Sequence, residues 1–359
     1  MKTESTRVID AADISAIVAA EGVPRLFDLV ISKLDEITGE FNNHQVDLKT
    51  RDGFVVTQPY DGLLEWMPAT RFGASTAVKM VAYNPHNPEK HGLPTILSTL
   101  YGFDVADGHL RCVVDGTFTT ALRTGAASAL ASRLLARPDA SVLGLVGCGA
   151  QAVTQLHALQ RVFNFEKVLL FDIDPAVEAS FASRARVNPS WACPVSRAEL
   201  EAEADIICTA TSVAPADDPV IDGANVKPDV HINAIGSDMP GKVELPLSLL
   251  RKSTVCPDYA PQARAEGECQ QLAPSEEGPS LFELRSDRAA SQRLVGTRTV
   301  YDSTGLALQD LAMIELFEEL AHRHGRGRDV MIEANSGDPL DPYAFMKGCD
   351  VDVALNQEK

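Results

Sequence analysis

The sequence predicts an α/β protein with a doubly wound parallel sheet and a second, mixed α+β domain. Apolar runs and helical segments alternate from residue 141 to about 300, as in a parallel sheet whose strands are joined by helices. The first of these runs, residues 142–146, leads directly into a glycine-rich turn at residues 147–152. Between residues 44 and 120, short β-like runs are separated by turns rich in proline, glycine and asparagine, which predicts the second sheet.

The glycine-rich turn has the G-x-G-x-x-A form of the fingerprint found in Rossmann dinucleotide-binding domains. Gly147 permits a tight turn, Gly149 lets a pyrophosphate approach the backbone, and Ala152 lets the next helix pack on the strand. Apolar residues then recur at helical spacing, so the helix N-terminus would present free N–H groups to the phosphates. The alternative is a glycine turn in a βαβ unit that binds no nucleotide.

A carboxylate follows the second apolar run, residues 168–171, about twenty residues beyond the glycines. This residue, Asp172, can accept a hydrogen bond from a ribose 2′-hydroxyl and would repel a 2′-phosphate. The sequence therefore predicts NAD as the cofactor. Asp174 is an alternative candidate for the ribose contact.

Composition excludes several classes of protein. The 359 residues carry a formal net charge of −18, which argues against a basic nucleic-acid-binding surface. No apolar run reaches the roughly eighteen residues of a membrane span, and the N-terminus lacks the apolar core of a signal peptide. The seven cysteines form no C-x-x-C pair, so neither a disulfide framework nor a zinc or other metal site is predicted. We expect a cytoplasmic protein with no membrane partner.

The remaining elements follow in chain order. Residues 8–39 predict helix, capped by Asp10 or Asp13. The strands expected in the second sheet are residues 53–56, 62–68, 77–83, 95–102 and 110–115. An alanine-rich helix is expected from residue 117 to residue 136. The later strands of the parallel sheet are expected at residues 204–210, 230–236 and 254–256, and a last helix at about 306–323.

Four places outside the fingerprint have residue types that suit chemistry. Lys79 lies in an apolar strand, where it either reaches solvent or binds an anion, and Arg123 is either a surface residue or a carboxylate ligand. Residues 235–244 follow a parallel strand and crowd an Asp, a Lys and a Glu around a Pro-Gly turn, so Asp238 is a candidate acid/base unless the turn only caps a helix. Residues 302–305 either contact the cofactor or cap the last helix.

Taken in order, these motifs resemble the ornithine cyclodeaminase/μ-crystallin family. The resemblance covers nearly the whole chain and is carried by Glu65-Trp-Met-Pro68, Lys79, Thr120-Ala-Leu-Arg-Thr124, Gly147-Cys-Gly-Ala-Gln151, Asn233-Ala-Ile-Gly-Ser-Asp238-Met-Pro-Gly-Lys242, Arg264-Ala-Glu-Gly-Glu268 and Asp302-Ser-Thr-Gly305. Residues 92–97, 121–128, 136–139 and 340–343 look closest to lysine cyclodeaminases. Residues 238–242 look more like ornithine cyclodeaminase.

The resemblance implies an ammonia-releasing cyclisation with no net oxidation. Bound NAD+ would take the α-hydride of L-ornithine or L-lysine, the side-chain amine would attack the resulting imine, and the returned hydride would give L-proline or L-pipecolate. Two other functions are compatible with the same fold. One is an NAD(P)H-dependent imine reductase or amino-acid dehydrogenase, and the other is a nucleotide-binding protein of the crystallin type without catalysis.

The resemblance also implies roles for single residues. Asp238 would move the amine protons, and Lys79 and Arg123 would bind the substrate carboxylate. The further substrate contacts would be Arg51, Glu65 and Thr304. The expected cofactor contacts are Thr95, Arg123, Gly147, Gly149, Ala150, Gln151, Asp172, Thr211, Asn233, Ala234, Ile235, Gly236, Lys242 and Ser303.

The same family pattern predicts a division of the chain. Residues 126–305 would form the Rossmann NAD-binding domain. Residues 1–125 together with 306–359 would bind the amino-acid substrate and form a homodimer through the non-Rossmann sheet.

Overall fold

Two β-sheets organise the chain. The computed structural model describes residues 5–59, 62–334 and 338–346. The strands are β1 (Thr6–Ile9), β2 (Val46–Leu48), β3 (Asp52–Val56), β4 (Gly62–Arg71), β5 (Ser75–Tyr83), β6 (Ile96–Asp104), β7 (Leu110–Asp115), β8 (Val142–Val146), β9 (Lys167–Phe171), β10 (Ala192–Pro194), β11 (Ile206–Thr209), β12 (His231–Ala234), β13 (Thr254–Pro257), β14 (Thr299–Asp302) and β15 (Arg328–Val330). The helices are α1 (Ala11–Glu21), α2 (Val23–Asn42), α3 (Asn87–His91), α4 (Gly116–Leu135), α5 (Ala150–Leu159), α6 (Pro175–Ala185), α7 (Arg197–Glu203), α8 (Leu247–Leu250), α9 (Ala260–Glu266), α10 (Leu281–Ser286), α11 (Arg288–Leu294) and α12 (Ala307–His324).

The sheet that follows the glycine fingerprint has seven strands in the order β10-β9-β8-β11-β12-β14-β13, and all its pairings are parallel. From β8 the chain moves outward through β9 and β10, and it then returns to β11 on the other side of β8. This reversal makes a crevice at the carboxyl ends of β8 and β11, where ligands bind in doubly wound folds. The predicted doubly wound parallel sheet is therefore confirmed.

The second sheet has eight strands and is mixed, as expected. Its order is β15-β1-β7-β6-β5-β4-β2, with β3 paired to β4. β1 pairs with β7 in parallel, and the other pairings are antiparallel. In β5 the alternate residues Ser75, Ala77 and Lys79 are buried, and they point to the face covered by α12.

Several short elements differ from the sequence prediction. The helix predicted over residues 8–39 is confirmed for residues 11–21 and 23–39, but residues 8 and 9 belong to β1, and Gly22, with φ of +77°, separates α1 from α2. Asp10 caps α1 as expected, in a capping box with Asp13. β1, β2, β10 and β15 were not predicted, because three or four residues are too few to show a period.

One helix connects the two sheets. α4 contacts β6 of the mixed sheet and also β12 and β14 of the parallel sheet. A single apolar cluster includes Leu100 of the mixed sheet, Leu130 of α4 and Leu143 of the parallel sheet. The domain boundary predicted after residue 125 falls inside α4, since this helix is shared by both halves of the core. Within the described residues, no helix combines the length and apolar character needed to cross a bilayer.

Candidate active site

A cleft lies between the two sheets. All six residues predicted to act on the substrate line it, namely Arg51, Glu65, Lys79, Arg123, Asp238 and Thr304. Four of the predicted cofactor contacts line the same cleft, namely Gln151, Ile235, Ser303 and Arg123, which was predicted for both roles. Residues from distant parts of the chain thus meet where the carboxyl ends of β12 and β14 face the mixed sheet.

Lys79 and Arg123 share one buried carboxylate. Lys79 Nζ lies 2.9 Å from Asp310 Oδ2, and Arg123 Nε lies 3.4 Å from Asp310 Oδ1. Arg123 Nη1 also donates to Gln309 Oε1 at 3.0 Å. The side chains of Lys79 and Asp310 are each 1% exposed and that of Arg123 is 6% exposed, so the alternatives of a solvent-directed lysine and a surface arginine are wrong. Burial and the neighbouring Arg123 lower the pKa of Lys79 to about 7, although Asp310 opposes this shift.

Arg51 lies at the centre of a second ionic cluster. Its Nε is 2.8 Å from Glu266 Oε1, and its Nη1 is 3.4 Å from Glu65 Oε2. Its Nη2 donates to the carbonyl oxygens of Thr304 and, at 3.0 Å, Gly305. Burial raises the pKa of Glu65, and burial with the neighbouring carboxylates raises the pKa of Glu266 to about 8 despite the Arg51 guanidinium.

Asp238 lies in the loop after β12 and pairs with Lys242, whose Nζ is 2.9 Å from Asp238 Oδ1. The side chain of Asp238 is 32% exposed, whereas that of Lys242 is 3% exposed. Lys242 also lies 5.6 Å from the centre of the Tyr83 ring. Although burial opposes it, the Asp238 carboxylate raises the pKa of Lys242. The helix-cap alternative for this loop is wrong, because the next helix is capped at Pro246.

The fingerprint turn has the geometry that a dinucleotide requires. Gly147 has φ of +84°, and a Cβ there would lie 2.7 Å from the carbonyl oxygen of Ala210. At Gly149, by contrast, no described atom lies within 4 Å of the position that a Cβ would occupy. No described side chain caps the N-terminus of α5, and the buried Gln151 Oε1 has no hydrogen-bond partner among the described residues. These groups fit a phosphate-bearing cofactor.

The two acids proposed for the ribose differ in position. Asp172 lies just after β9, and its Oδ2 accepts a hydrogen bond of 2.7 Å from the backbone N–H of Cys148, inside the fingerprint turn. Asp174 instead caps α6 by accepting from the N–H of Ala176 at 2.8 Å. Asp172 is therefore the better placed of the two for a nucleotide on this turn.

Some of the expected cofactor residues do not line the cleft. Thr95 precedes β6 next to the lining residue Ile96, and Lys242 reaches the cleft through Asp238 and Tyr83. Asn233 is fully buried, and its amide donates to Ser132 Oγ at 3.0 Å. A cofactor contact by the Asn233 side chain does not agree with this placement, because the amide packs against α4 below the strand end. Ala234 is likewise fully buried within β12.

Residues 17–324 match the model of a single protein family, described as ornithine cyclodeaminase/mu-crystallin. The chain belongs to this family. The family resemblance drawn from the motifs is confirmed.

Relatives of the ornithine cyclodeaminase/mu-crystallin family show how far the likeness extends. The L-lysine cyclodeaminase of Streptomyces rapamycinicus is 37% identical over 341 residues, which are 95% of this chain and 99% of that protein. A solved lysine cyclodeaminase, described as recognising L-lysine, L-ornithine and L-2,4-diaminobutyric acid, is 45% identical with a TM-score of 0.92 and covers 95% of this chain and 99% of its own. An archaeal alanine dehydrogenase dimer with bound NAD is 28% identical with a TM-score of 0.79 and covers 92% of this chain and 100% of its own.

In this family member, sequence reasoning gave no role to Glu266 and Asp310, two buried carboxylates beside the cleft, and it named Glu244 only as part of the crowded turn at residues 235–244. Glu244 accepts hydrogen bonds from Thr209 Oγ1 at 2.6 Å, from the Thr211 N–H at 2.8 Å and from the Gly236 N–H at 2.8 Å. It thereby ties together the loops after β11 and β12. For Asp310, the available signal was a lone acid among apolar residues in the first turns of α12. For Glu266 the pattern carried no signal of a role, since its partner Arg51 is distant in sequence.

Proposed function

We propose that this protein is an NAD-dependent cyclodeaminase that converts L-lysine to L-pipecolate, or L-ornithine to L-proline, with release of ammonia. The observation that carries the proposal is the set of charges in one cleft. Lys79 and Arg123 can bind an α-carboxylate, and the carboxylates of Glu65 and Asp238 can bind the amino groups. A diamino acid has both kinds of charge.

The fingerprint turn is the proposed cofactor site. The accessible backbone at Gly149, the uncapped N-terminus of α5, the unpaired Gln151 Oε1 and the Asp172 carboxylate would hold NAD. When bound, the cofactor would supply a hydride acceptor in its oxidised form and a hydride donor in its reduced form. The loops tied by Glu244 lie at the same sheet edge, where they would support the cofactor.

Lys79 and Arg123 are proposed to orient the substrate. Because their positions are fixed by Asp310 and Gln309, a carboxylate bound to them would hold the α-carbon in one place. Holding both ends of one molecule in the cleft favours ring closure, since the attacking amine and the α-carbon are already together.

Asp238 is the proposed acid/base. The attacking side-chain amine must lose a proton, and the partly exposed Asp238 carboxylate can accept it and exchange it with solvent. Glu65 lines the cleft next to Arg51 and offers a second carboxylate to an ammonium group. Arg51 would keep Glu65 aligned, whereas the raised pKa of Glu266, about 8, leaves that carboxyl largely protonated at neutral pH.

Lysine is the better supported of the two substrates. Two lysine cyclodeaminases each match 95% of this chain, and one of them is described as recognising L-lysine, L-ornithine and L-2,4-diaminobutyric acid. We therefore expect both chain lengths to be accepted, with L-lysine turned over faster.

The runner-up is an imine reductase or amino-acid dehydrogenase. The likeness to an alanine dehydrogenase with NAD bound supports it, because the same scaffold holds the same type of cofactor. A dehydrogenase would change the NADH concentration steadily, whereas a cyclodeaminase would not.

We also propose that the protein is a cytoplasmic homodimer. The six described cysteines are free, which suits a reducing compartment, whereas Cys349 lies outside the described residues. On the mixed sheet, Phe54 and Val55 are 63% and 72% exposed, an apolar surface that a second copy could cover. The alanine dehydrogenase neighbour is described as a dimer. Light scattering of wild type and Phe54→Asp tests this, since the variant should be monomeric.

The decisive experiment supplies L-lysine and L-ornithine separately, with a catalytic amount of NAD+, and measures ammonia, the cyclic amino acid and absorbance at the NADH wavelength. Equimolar ammonia and L-pipecolate or L-proline, without steady NADH formation, supports the proposal. Steady NADH formation, or activity only with a cyclic imine and NADH, would assign the protein to the runner-up.

A further inference from the structure

The carboxylate of Asp310 lies behind the two cations of the cleft. Lys79 and Arg123 line the cavity, whereas Asp310 is not among the described residues that line it. Asp310 is 1% exposed, and each of its oxygens faces one of the two cations, at 2.9 Å and 3.4 Å. The three residues come from β5, α4 and α12, so Asp310 connects three elements at one point.

The charge of this cluster suits one bound carboxylate. Two cations and one carboxylate leave one net positive charge at the cavity wall when Lys79 is protonated. A buried pair of cations without Asp310 would repel each other and would be poorly solvated. Removing Asp310 therefore favours loss of the Lys79 proton.

We propose that Asp310 is a positioning residue for substrate binding, which holds Lys79 and Arg123 in place and keeps Lys79 protonated for the α-carboxylate. This inference rests on the proposed function, since it takes an amino acid as the ligand. Asp310 acts through the two cations and does not contact the substrate.

The surroundings of Lys79 decide the direction of the pH effect. Arg123 from α4, Asp310 from α12, Arg51 from the loop before β3 and Glu65 from β4 act on its charge. On β6, the residue paired with Lys79 is the apolar Leu100. The pKa of Lys79 is about 7 with Asp310 in place, and Asp310 raises it against the effects of burial and Arg123. Without Asp310 the lysine would lose its proton at lower pH.

A matched control lies five residues further along the same helix. Glu315 of α12 also joins a lysine and an arginine, with Lys33 Nζ at 3.2 Å and Arg71 Nη2 at 3.1 Å. Glu315 does not line the cleft. Glu315→Gln therefore removes the carboxylate from a comparable ionic cluster on the same helix and leaves the residues of the proposed site unchanged.

The experiment measures binding of the cyclic products, which cannot be converted back to diamino acids in the absence of ammonia. Wild type, Asp310→Asn, Asp310→Glu and Glu315→Gln, each loaded with NAD+, are titrated by calorimetry with L-pipecolate and L-proline from pH 6 to pH 9. Binding of the amino-acid carboxylate should weaken as the pH rises and Lys79 loses its proton. In Asp310→Asn we expect this weakening to occur at a pH lower by about one unit or more than in wild type. The variant should therefore bind about tenfold more weakly than wild type at pH 8.5, with a smaller difference at pH 6. Asp310→Glu and Glu315→Gln should follow the wild-type profile, and NAD+ affinity should be unchanged in all four proteins.

Three results overturn the inference. The first is an unchanged pH profile in Asp310→Asn, and the second is a loss that is equal at every pH and accompanied by a lower melting temperature and weaker NAD+ binding. The third is wild-type protein that binds neither L-pipecolate nor L-proline, because the cations would then have no carboxylate to position. If the protein binds the cyclic amino acids normally but releases no ammonia from L-lysine or L-ornithine, only the proposed function is wrong.

Discussion

Arg51 and Glu266 are in direct side-chain contact beside the cleft. Arg51 lies just before β3 of the mixed sheet, Glu266 is the last residue of α9 beside the parallel sheet, and the Nε to Oε1 distance is 2.8 Å. Their side chains are 10% and 7% exposed, so solvent screens the pair little. This contact ties the two walls of the candidate active site together.

Glu266 should make the stability of the protein depend on pH. Burial raises its pKa from an ordinary value of 4.5 to about 8, so the folded state binds more protons than the unfolded state between these values. The corresponding stability is fully present below about pH 4.5 and is lost as the pH rises to 8. In Glu266→Gln, which cannot ionise, the melting temperature should fall less between pH 5 and pH 8.5 than in wild type. Differential scanning calorimetry at several pH values measures this.

The control for this prediction is Glu203→Gln, which removes an exposed pair with Lys167. Its melting temperature should vary with pH as that of wild type does. If Glu266→Gln shows the same pH dependence as Glu203→Gln, the raised pKa of Glu266 is wrong.

Asp238→Asn should separate catalysis from cofactor binding. The amide cannot accept the amine proton, so ammonia release from L-lysine should fall by about 10²-fold or more. NAD+ affinity, measured by calorimetry, should stay within about twofold, since the loop keeps its length and polarity. Asp222→Asn, which removes a surface pair with Arg197, is the control and should be fully active. Loss of NAD+ binding in Asp238→Asn would mark the residue as structural.

Alanine substitutions at the two fingerprint glycines should affect different properties, cofactor affinity at one and stability at the other. Gly149 has room for a Cβ within the protein, so Gly149→Ala should keep its melting temperature but lose NAD+ affinity by about tenfold or more, because the methyl group occupies the phosphate side. Gly147→Ala should lower stability by about 2 kcal/mol, since its φ is positive and the Cβ would meet the Ala210 carbonyl oxygen. Thermal melting and NAD+ titration of both variants check this. A destabilised Gly149→Ala would contradict the prediction.

Asp172 and Asp174 should likewise be distinguishable. Asp172→Ser removes the charge next to the fingerprint turn, so the preference for NAD+ over NADP+ should fall by about tenfold. Asp174→Ala removes the cap of α6 and should cost about 1 kcal/mol of stability without changing cofactor preference. Affinities for the two cofactors and chemical denaturation of both variants provide the test. A changed cofactor preference in Asp174→Ala alone would reverse the assignment.

Much of the fold could be predicted from local pattern. The strands of the parallel sheet at residues 142–146 and 254–257 lie within one residue of their predicted ends, because each is a short apolar run next to a turn. The edge strand Arg328–Val330 could not be predicted, since it exists only by pairing with Thr6–Ile9 at the other end of the chain.

The sequence by itself determined the residue types of the candidate site and the fingerprint turn, because a glycine spacing and a strand end are local features. Whether Lys79 reaches solvent or a ligand was decided only by the tertiary structure. Its sequence neighbours Val78 and Met80 do not indicate that Lys79 pairs with Asp310. Asp310 belongs to a helix that lies much later in the chain and packs on β5. Burial and a partner distant in sequence set the charge of a side chain, and neither can be seen in the residues beside it.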